Sequence, residues 1–390
     1  MIRLIKNGRV IDPGNGEDRV RDLWIDHDGM ITTDSSEPPE QLHDDQVINA
    51  EGNWVIPGLV DLAARFREPG EEHKGTIQSE SAAALAGGIT TVCLQPDTLP
   101  VIDTPAVVEL VQQRTQFCPS PHITMLGAMT FGLQSKQLSE IGALKQAGCV
   151  GVSNAGRPIT DSQLMRNIMD YAVSYNLKAF LTPIDVYLAQ SGCAHEGKVS
   201  TRMGLPAIPH AAETAIVARD LTLIEATGIN AHFCRLSSAR SVEMIAHARQ
   251  QGLPVTADVA AHQLFLTEND ISDFNSNAHV YPPLRTERDR DALMQGVADG
   301  VISAISSDHQ PHEADAKLAP FAETEPGISA LETLLPLCMK LTQEYGMELA
   351  TVLRAITSNP AAILGVAGGT LNSGGAADIT IIDPQQEWTL

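Results

Sequence analysis

Four histidines, His232, His262, His309 and His312, and one aspartate, Asp308, stand just beyond short apolar runs of this 390-residue chain. Imidazole and carboxylate are donors from which divalent-metal sites are built, and three or four converging on one point would bind zinc and activate water. Three arginines, Arg65, Arg67 and Arg235, occupy the same kind of position. A guanidinium is a permanent cation with no lone pair to give, so it holds carboxylates and repels metal ions. The segment "VDLAARFREPG", residues 60–70, poses this conflict most sharply. A buried strand there puts Ala63, Arg65 and Arg67 on one face, because side chains two apart point the same way.

The elements that position these residues follow a regular rhythm from about residue 56. Eight apolar strand candidates occur in order: "VIPGLVDLAARF", "ITTVCLQ", "HITMLGAM", "CVGVSN", "KAFLT", "NAHFCRLS", "PVTADVA" and "ISAISSD". Stretches of helical period lie between them, including 104–116, 161–176, 209–226, 238–251 and 286–299. Eight strands alternating with helices is the count of a (β/α)8 TIM barrel, an α/β fold. A doubly wound open sheet would show a G-x-G-x-x-G turn after its first strand, which is lacking here. Residues 1–55 and 366–390 carry short alternating segments and Gly/Pro turns, which predict a small β-sandwich satellite built from both chain ends. The barrel is then expected over 56–365. The chain stops at "EWTL", shortly after a strand, which leaves room for a further C-terminal piece.

In such a barrel, chemistry sits at the C-terminal ends of the strands. Strand 1 offers Ala63, Arg65 and Arg67, strand 2 Gln95 and Asp97, and strand 4 Asn154 and Ala155. Strand 5 offers Thr182, strand 6 His232 and Arg235, strand 7 His262, and strand 8 Asp308, His309 and His312. Other motifs return little. "GCAHEGKV" at 192–199 falls one hydroxyl short of a phosphate-binding loop because Val199 replaces Ser/Thr, and it reads as a loop. His195-Glu196 and His312-Glu313 lack the second histidine of H-E-x-x-H, and there is no G-x-S-x-G elbow.

Composition bounds the partners. Lys and Arg number 26 against 48 Asp and Glu, a formal net charge of −22 that repels nucleic acid and anionic lipid. Six scattered cysteines without a C-x-x-C pair suit reduced thiols in a cytoplasmic protein. The N-terminus "MIRLIKNGRVIDPG" has no signal-peptide core, and no apolar run reaches the roughly 18–20 residues of a membrane span.

Six collinear motifs carry a family resemblance: "PGLVDLAARFREPG", "AGGITTVCLQPDTLPVIDTP", "VTADVAAHQLFLTE", "PPLRTERDRDAL", "SSDHQPH" and "PGISALETLLPL". They resemble the dihydroorotases of the cyclic amidohydrolase superfamily, in the form whose strand 4 bears an aspartate pair. The resemblance implies a zinc-dependent barrel that interconverts carbamoyl-aspartate and dihydroorotate. It also implies where the metal ligands should be. The two histidines of strand 1 fall at Ala63 and Arg65, and the strand 4 aspartates at Asn154 and Ala155. The strand 5 and strand 6 histidines fall at Thr182 and Arg235, and only the strand 8 aspartate persists, as Asp308. No metal or other cofactor is therefore expected.

The implied substrate pocket is half kept. Arg67 and His312 match family residues that hold substrate, whereas Asp97 and Tyr281 replace asparagines. Asp97 would face the substrate's own carboxylate, a repulsion of about 4 kcal/mol at ~4 Å and an effective dielectric of ~20. His232, His262 and His309 match structural residues, although together with His312 they also offer an improvised metal set. Arg65 and Arg235 either turn inward to neutralise Asp308 in place of metal ions or point to solvent. The resemblance extends to bacterial homologues that lack the ligands and serve as partners of the aspartate transcarbamoylase catalytic chain. The reading is accordingly an inactive, homo-oligomerising assembly subunit of that enzyme. An active amidohydrolase with an atypical metal site and a binding module for a pyrimidine intermediate are the alternatives.

Overall fold

A computed structural model describes residues 3–32, 43 and 46–387. The chain end at Leu390 lies outside them. Eight parallel strands, Leu59–Ala64, Ile89–Leu94, His122–Ala128, Gly151–Ser153, Lys178–Leu181, Ala231–Phe233, Val255–Ala260 and Ala304–Ser306, form one sheet with sequential neighbours. They are strands 1 to 8. The sheet is nearly closed: an isolated parallel bridge joins Ala64 to His309. There Arg65 N donates to His309 O at 3.0 Å and His309 N to Ala63 O at 3.1 Å. This is the α/β TIM barrel expected from the strand count.

The strands are aliphatic on both faces because helices cover the outside while side chains fill the lumen. Val60, Leu62, Cys93, Leu126, Phe180, Cys234 and Ala304 pack together, and the larger cluster of strand and helix residues surrounds them. The predicted helices run over Pro105–Thr115, Ser162–Ser174, Ala211–Thr227, Ala239–Gln250 and Glu287–Ala298.

The terminal segments make a six-stranded sheet in the order Ile379–Ile382, Trp54–Pro57, Arg3–Asp12, Glu17–Ile25, Ile31–Thr32, with Val47–Asn49 paired to Arg3–Asp12. It is a single hydrogen-bonded sheet that curls around Ile5, Val10, Leu23, Ile31, Ala50, Val55 and Leu371. The run "VIPGLVDLAARF" is thus divided between two sheets. The division falls at Gly58, whose N–H donates to Asp378 O at 2.8 Å. A side chain there would meet Thr90 Oγ1 at 2.0 Å, so only glycine lets the chain pass from one sheet to the other.

Beyond strands 5, 7 and 8 the chain makes long excursions of short turns rather than regular helices. They share a core of Cys193, Ala194, Val199, Ile271, Ala278, Val280 and Phe321. "GCAHEGKV" belongs to this excursion as a two-residue strand, Ala194–His195, followed by the short helix Lys198–Met203. Among the described residues, no helix is long and apolar enough to cross a membrane.

Candidate functional site at the barrel mouth

Strand 1 ends at Ala64, so Arg65 leaves the barrel wall directly over the lumen. Its Nε donates to Asp97 Oδ2 at 2.7 Å, and its Nη1 lies 3.6 Å from Asp308 Oδ1. Arg235 enters from strand 6, and its Nη1 donates to the same Asp308 oxygen at 2.8 Å. Its Nη2 donates to Thr182 Oγ1 at 3.3 Å, and Gln310 Nε2 donates to Asp308 Oδ1 at 3.1 Å. Both guanidiniums therefore turn inward, and Asp308 is shared between them. The side chains of Arg65, Arg235 and Asp308 are buried. Desolvation opposes the Arg235 charge, but the Asp308 carboxylate outweighs it and raises the arginine's pKa.

Asp97 has a partner that the sequence did not indicate. Its Oδ2 accepts from Arg65 Nε, which offsets part of the negative charge it would present to a substrate carboxylate. One of its oxygens is thus paired within the chain, while the side chain remains partly exposed at the cavity.

Arg67 is not a strand residue and does not share a face with Ala63 and Arg65. It follows the strand in a left-handed conformation, φ +63°, which swings its side chain sideways. Its Nε donates to Pro311 O at 3.0 Å, its Nη1 reaches Glu71 Oε2 at 3.4 Å, and its Nη2 lies 3.2 Å from His312 Nε2. Burial, then repulsion by Arg65, lowers the Arg67 pKa, while burial and Arg67 lower that of His312. The two residues lean on each other and on the backbone.

The other strand ends are equally occupied. Asn154 accepts from Thr130 Oγ1 at 3.0 Å and donates to Ser135 Oγ at 3.1 Å and Arg157 O at 2.6 Å, which ties two loops together. Ala155 is buried against Ala128 and Leu133. Ala63 is 3% exposed, and its carbonyl accepts from Ser307 Oγ at 3.3 Å. Tyr281 packs on Ile184, Ala189, Ile208 and Ala212, and burial pushes its phenol up to about 12.

The histidines do not converge. His309 Nδ1 accepts from Ala330 N at 3.0 Å, so its Nε2–H is the donor to Glu80 Oε2 at 2.7 Å. His312 is tied to Arg67, and burial lowers the pKa of His262. His232 instead meets Cys234 and Asp258, whose potential ligand atoms lie within 4.8 Å of one another. Both its ring nitrogens are already engaged, Nδ1 with Thr256 Oγ1 and Nε2 with Asp258 Oδ2, each at 2.8 Å. Asp258 also accepts from Arg235 N at 2.8 Å, so this group buttresses the arginine.

Two further networks escaped sequence reasoning. Asp61 accepts from Ser307 N at 2.8 Å and from Ser307 Oγ at 2.5 Å, and burial raises its pKa. Glu213 accepts from Ser237, Ser238 N and Arg285, while Arg285 Nη1 lies 3.2 Å from His195 Nδ1. Their only signal was a buried-type position holding a charged residue.

Two small cavities open at the mouth. The cavity lined by Arg65, Arg67 and Asp97 measures about 10 Å³, as does that lined by Thr182, Arg235 and Tyr281. Each admits about one water, whereas sites for small organic ligands measure roughly 300–1,000 Å³. Wider clefts of about 930 and 1,040 Å³ lie against the terminal sheet, one under Trp54 and Met339 and the other beside Arg21 and Trp24.

A family profile described as "Dihydro-orotase-like" matches residues 52–241. A "Dihydroorotase-like protein" of Pseudomonas putida is 46% identical over 381 residues, covering 98% of this chain and 89% of that protein. The chain belongs to the dihydroorotase-like family. A second "Dihydroorotase-like protein", from Pseudomonas aeruginosa, is 44% identical over 98% of the chain and 90% of its own length. A "Dihydroorotase" of Anaeromyxobacter dehalogenans is 40% identical over 100% of the chain and 90% of its own length. The fold matches an L-hydantoinase (dihydropyrimidinase) of Arthrobacter aurescens with a TM-score of 0.85 and 21% identity, over 97% of this chain and 86% of that one.

Set against zinc coordination, the mouth of this dihydroorotase-like chain does not fit a metal pair. Zinc needs three or four nitrogen, oxygen or sulfur donors at about 2.0–2.3 Å. Ala63 and Ala155 supply no side-chain donor, Asn154 is fully engaged, and two arginines occupy the approach to Asp308.

The backbone has unusual geometry at three of the positions that the resemblance matched to metal ligands. Ala155, Arg235 and Asp308 all have positive φ, at +47°, +55° and +47°. Each costs roughly 1–3 kcal/mol and persists only where the surroundings impose it.

Proposed function

We propose that this chain is a non-catalytic dihydroorotase relative that serves as a structural subunit of aspartate transcarbamoylase in pyrimidine synthesis. The observation that carries the reading is the Asp97–Arg65–Asp308–Arg235 network, which sets two fixed cations where catalysis in the family would need divalent ones. A barrel that retains its frame while its reacting groups are paired off has been kept for something other than turnover. The partner is the catalytic chain of aspartate transcarbamoylase, and we infer contacts between copies of this chain within the same assembly. Six unpaired cysteines suit a cytoplasmic setting.

Co-expression with the transcarbamoylase catalytic chain tests this. A co-eluting complex is expected, with transcarbamoylase activity that depends on this chain, and with no cyclisation of carbamoyl-aspartate by this chain alone. A transcarbamoylase that assembles and works equally well without it sinks the proposal.

A second reading, an active cyclic amide hydrolase with an atypical site, draws on the relatives of about 40% identity that bear the name "Dihydroorotase". Turnover by the purified chain, abolished by Asp308→Asn, would establish it. The 10 Å³ cavities argue against a pyrimidine-binding module, for which a melting shift with dihydroorotate is the check.

A further inference from the structure

Consecutive carbonyls in the loop that follows strand 4 are each held by a different side chain. Arg157 O accepts from Asn154 Nδ2 at 2.6 Å, Pro158 O from Ser135 Oγ at 2.8 Å, and Ile159 O from Arg219 Nη1 at 2.6 Å. Surface loops commonly leave such groups to water, so a grip on each in turn fixes the path of the chain. Asn154 also donates to Ser135 Oγ, so the first two anchors form one network that carries no charge. The third anchor differs from them.

Arg219 lies on the helix Ala211–Thr227, and its Nε and Nη2 donate to Asp220 Oδ1 at 2.8 Å and 2.7 Å. The Asp220 side chain is 2% exposed and that of Arg219 18%. The residue that holds the loop is therefore also the counter-ion of a buried carboxylate.

Charges on the elements packed against this helix are engaged elsewhere. Arg166 pairs with Asp170 on Ser162–Ser174, and Arg240 with Glu243 on Ala239–Gln250. His247 meets Gln251, Arg249 donates to Val301 O at 3.0 Å, and Asp185 caps Val186–Ala189. On the helix itself, Glu213 is taken by Ser237 and Arg285. Asp220 thus answers to burial and to Arg219 alone, and burial wins, raising its pKa to about 6.

The loop closes one side of a cavity of about 20 Å³ whose lining includes Asn154, Thr182, Arg219 and Asp220. We propose that this loop is a strap, latched over that cavity by Arg219 and released when Asp220 takes up a proton. The inference goes beyond the assembly reading and does not depend on it.

While Asp220 is ionised, it holds the guanidinium against the helix, where Nη1 reaches Ile159 O. A protonated Asp220 has no charge to offer, and the partly exposed guanidinium turns toward water. Asn154 and Ser135 keep their carbonyls, so the strap loosens at its Ile159 end only. This loosening is local. A carboxyl whose pKa is raised by folding adds to global stability as pH falls from about 6 toward about 3.9, because the unfolded group does not yet bind the proton.

Amide hydrogen exchange of the full chain, corrected for the intrinsic pH dependence of exchange, tests the latch. Protection of the amides in 156–161 is expected to fall about tenfold between about pH 7.5 and about pH 5, with its midpoint near the Asp220 pKa. Protection of the helix Pro105–Thr115 is expected to hold over the same range. Asp220→Asn, which keeps the shape without the charge, is expected to show the loosened loop at every pH, and so is Arg219→Met. Thermal melts confirm that both variants fold. Loop protection that stays constant in wild type across this range overturns the proposal. An Asp220→Asn loop as protected as wild type at about pH 7.5, or a fall with pH that persists in that variant, overturns it equally.

Discussion

Arg235 Nη1 lies 2.8 Å from Asp308 Oδ1, and the two side chains are 5% and 2% exposed. A buried carboxylate opposite a buried guanidinium is costly to desolvate, so the pair adds little net stability over an apolar filling, but breaking it is expensive. Asp308→Ala leaves Arg235 and Arg65 facing each other without their shared counter-charge. We expect a loss of about 3–5 kcal/mol in urea unfolding. Arg235→Met is expected to cost less, because Arg65 and Gln310 still attend Asp308. A loss within about 0.5 kcal/mol for Asp308→Ala, the range of ordinary surface substitutions, would show that the network does not hold the mouth together.

Metal should not support this fold. A zinc ion bound at a hundred times its Kd would stabilise the chain by about 2.7 kcal/mol. Prolonged dialysis against a chelator, followed by a melt with and without added zinc, is expected to give superimposable curves. A raised transition on adding zinc, with about two ions per chain by elemental analysis, would contradict the proposal that the network stands in for metal ions.

How far these features were legible depends on how local their causes are. The eight strands could be picked out because a strand buried on both faces must be a short aliphatic run, whatever its neighbours. The approach of Arg65 to Asp308 was accessible as one of two options, since closing the barrel makes strands 1 and 8 neighbours. The partner of Asp97 was not. Its carboxylate was expected to face a ligand, and only the direction taken by Arg65 shows that it is satisfied within the chain. Arg67 was misplaced because alternation holds only while the strand lasts, and the strand stops three residues earlier. The excursions beyond strands 7 and 8 were illegible for a different reason. Their turns have no period, and nothing local distinguishes an outward Phe274 from the inward Phe321.

Ala155 offers a direct measure of retained strain. Its φ of +47° suits glycine, which populates that region without steric penalty. Ala155→Gly loses one methyl against Ala128 and Leu133 but relieves the backbone. The expected outcome is a gain of about 0.5–1 kcal/mol, even though the substitution removes buried surface. Destabilisation by more than about 1 kcal/mol would mean that packing, and not imposed backbone geometry, governs this position.

The excursions beyond strands 5 and 7 should be sensitive to acid, because each holds a buried histidine in its neutral form. Burial and nearby Lys317 hold His279 at about 4, and burial and Arg285 hold His195 at about 4. Asp289 pulls His195 the other way and His210 adds to the depression, but the net shift is downward. An unfolded histidine titrates near 6.5. Both groups are therefore neutral in the fold, and their contribution is fully present above about pH 6.5. As pH falls from there toward 4, the unfolded chain takes up protons that the folded chain refuses, and stability is lost over that window. Full expression of such a shift is worth on the order of 3 kcal/mol per histidine. His279→Gln keeps a group able to hydrogen-bond Thr324, the present partner of His279 Nδ1 at 2.7 Å, but cannot titrate. Urea unfolding of wild type and variant at stepped pH is expected to show the wild type losing its advantage between pH 6.5 and 4, with exposure of the Phe321 loop to protease following the same course. Parallel stability curves for the two proteins across that window would show that His279 does not set the acid limit.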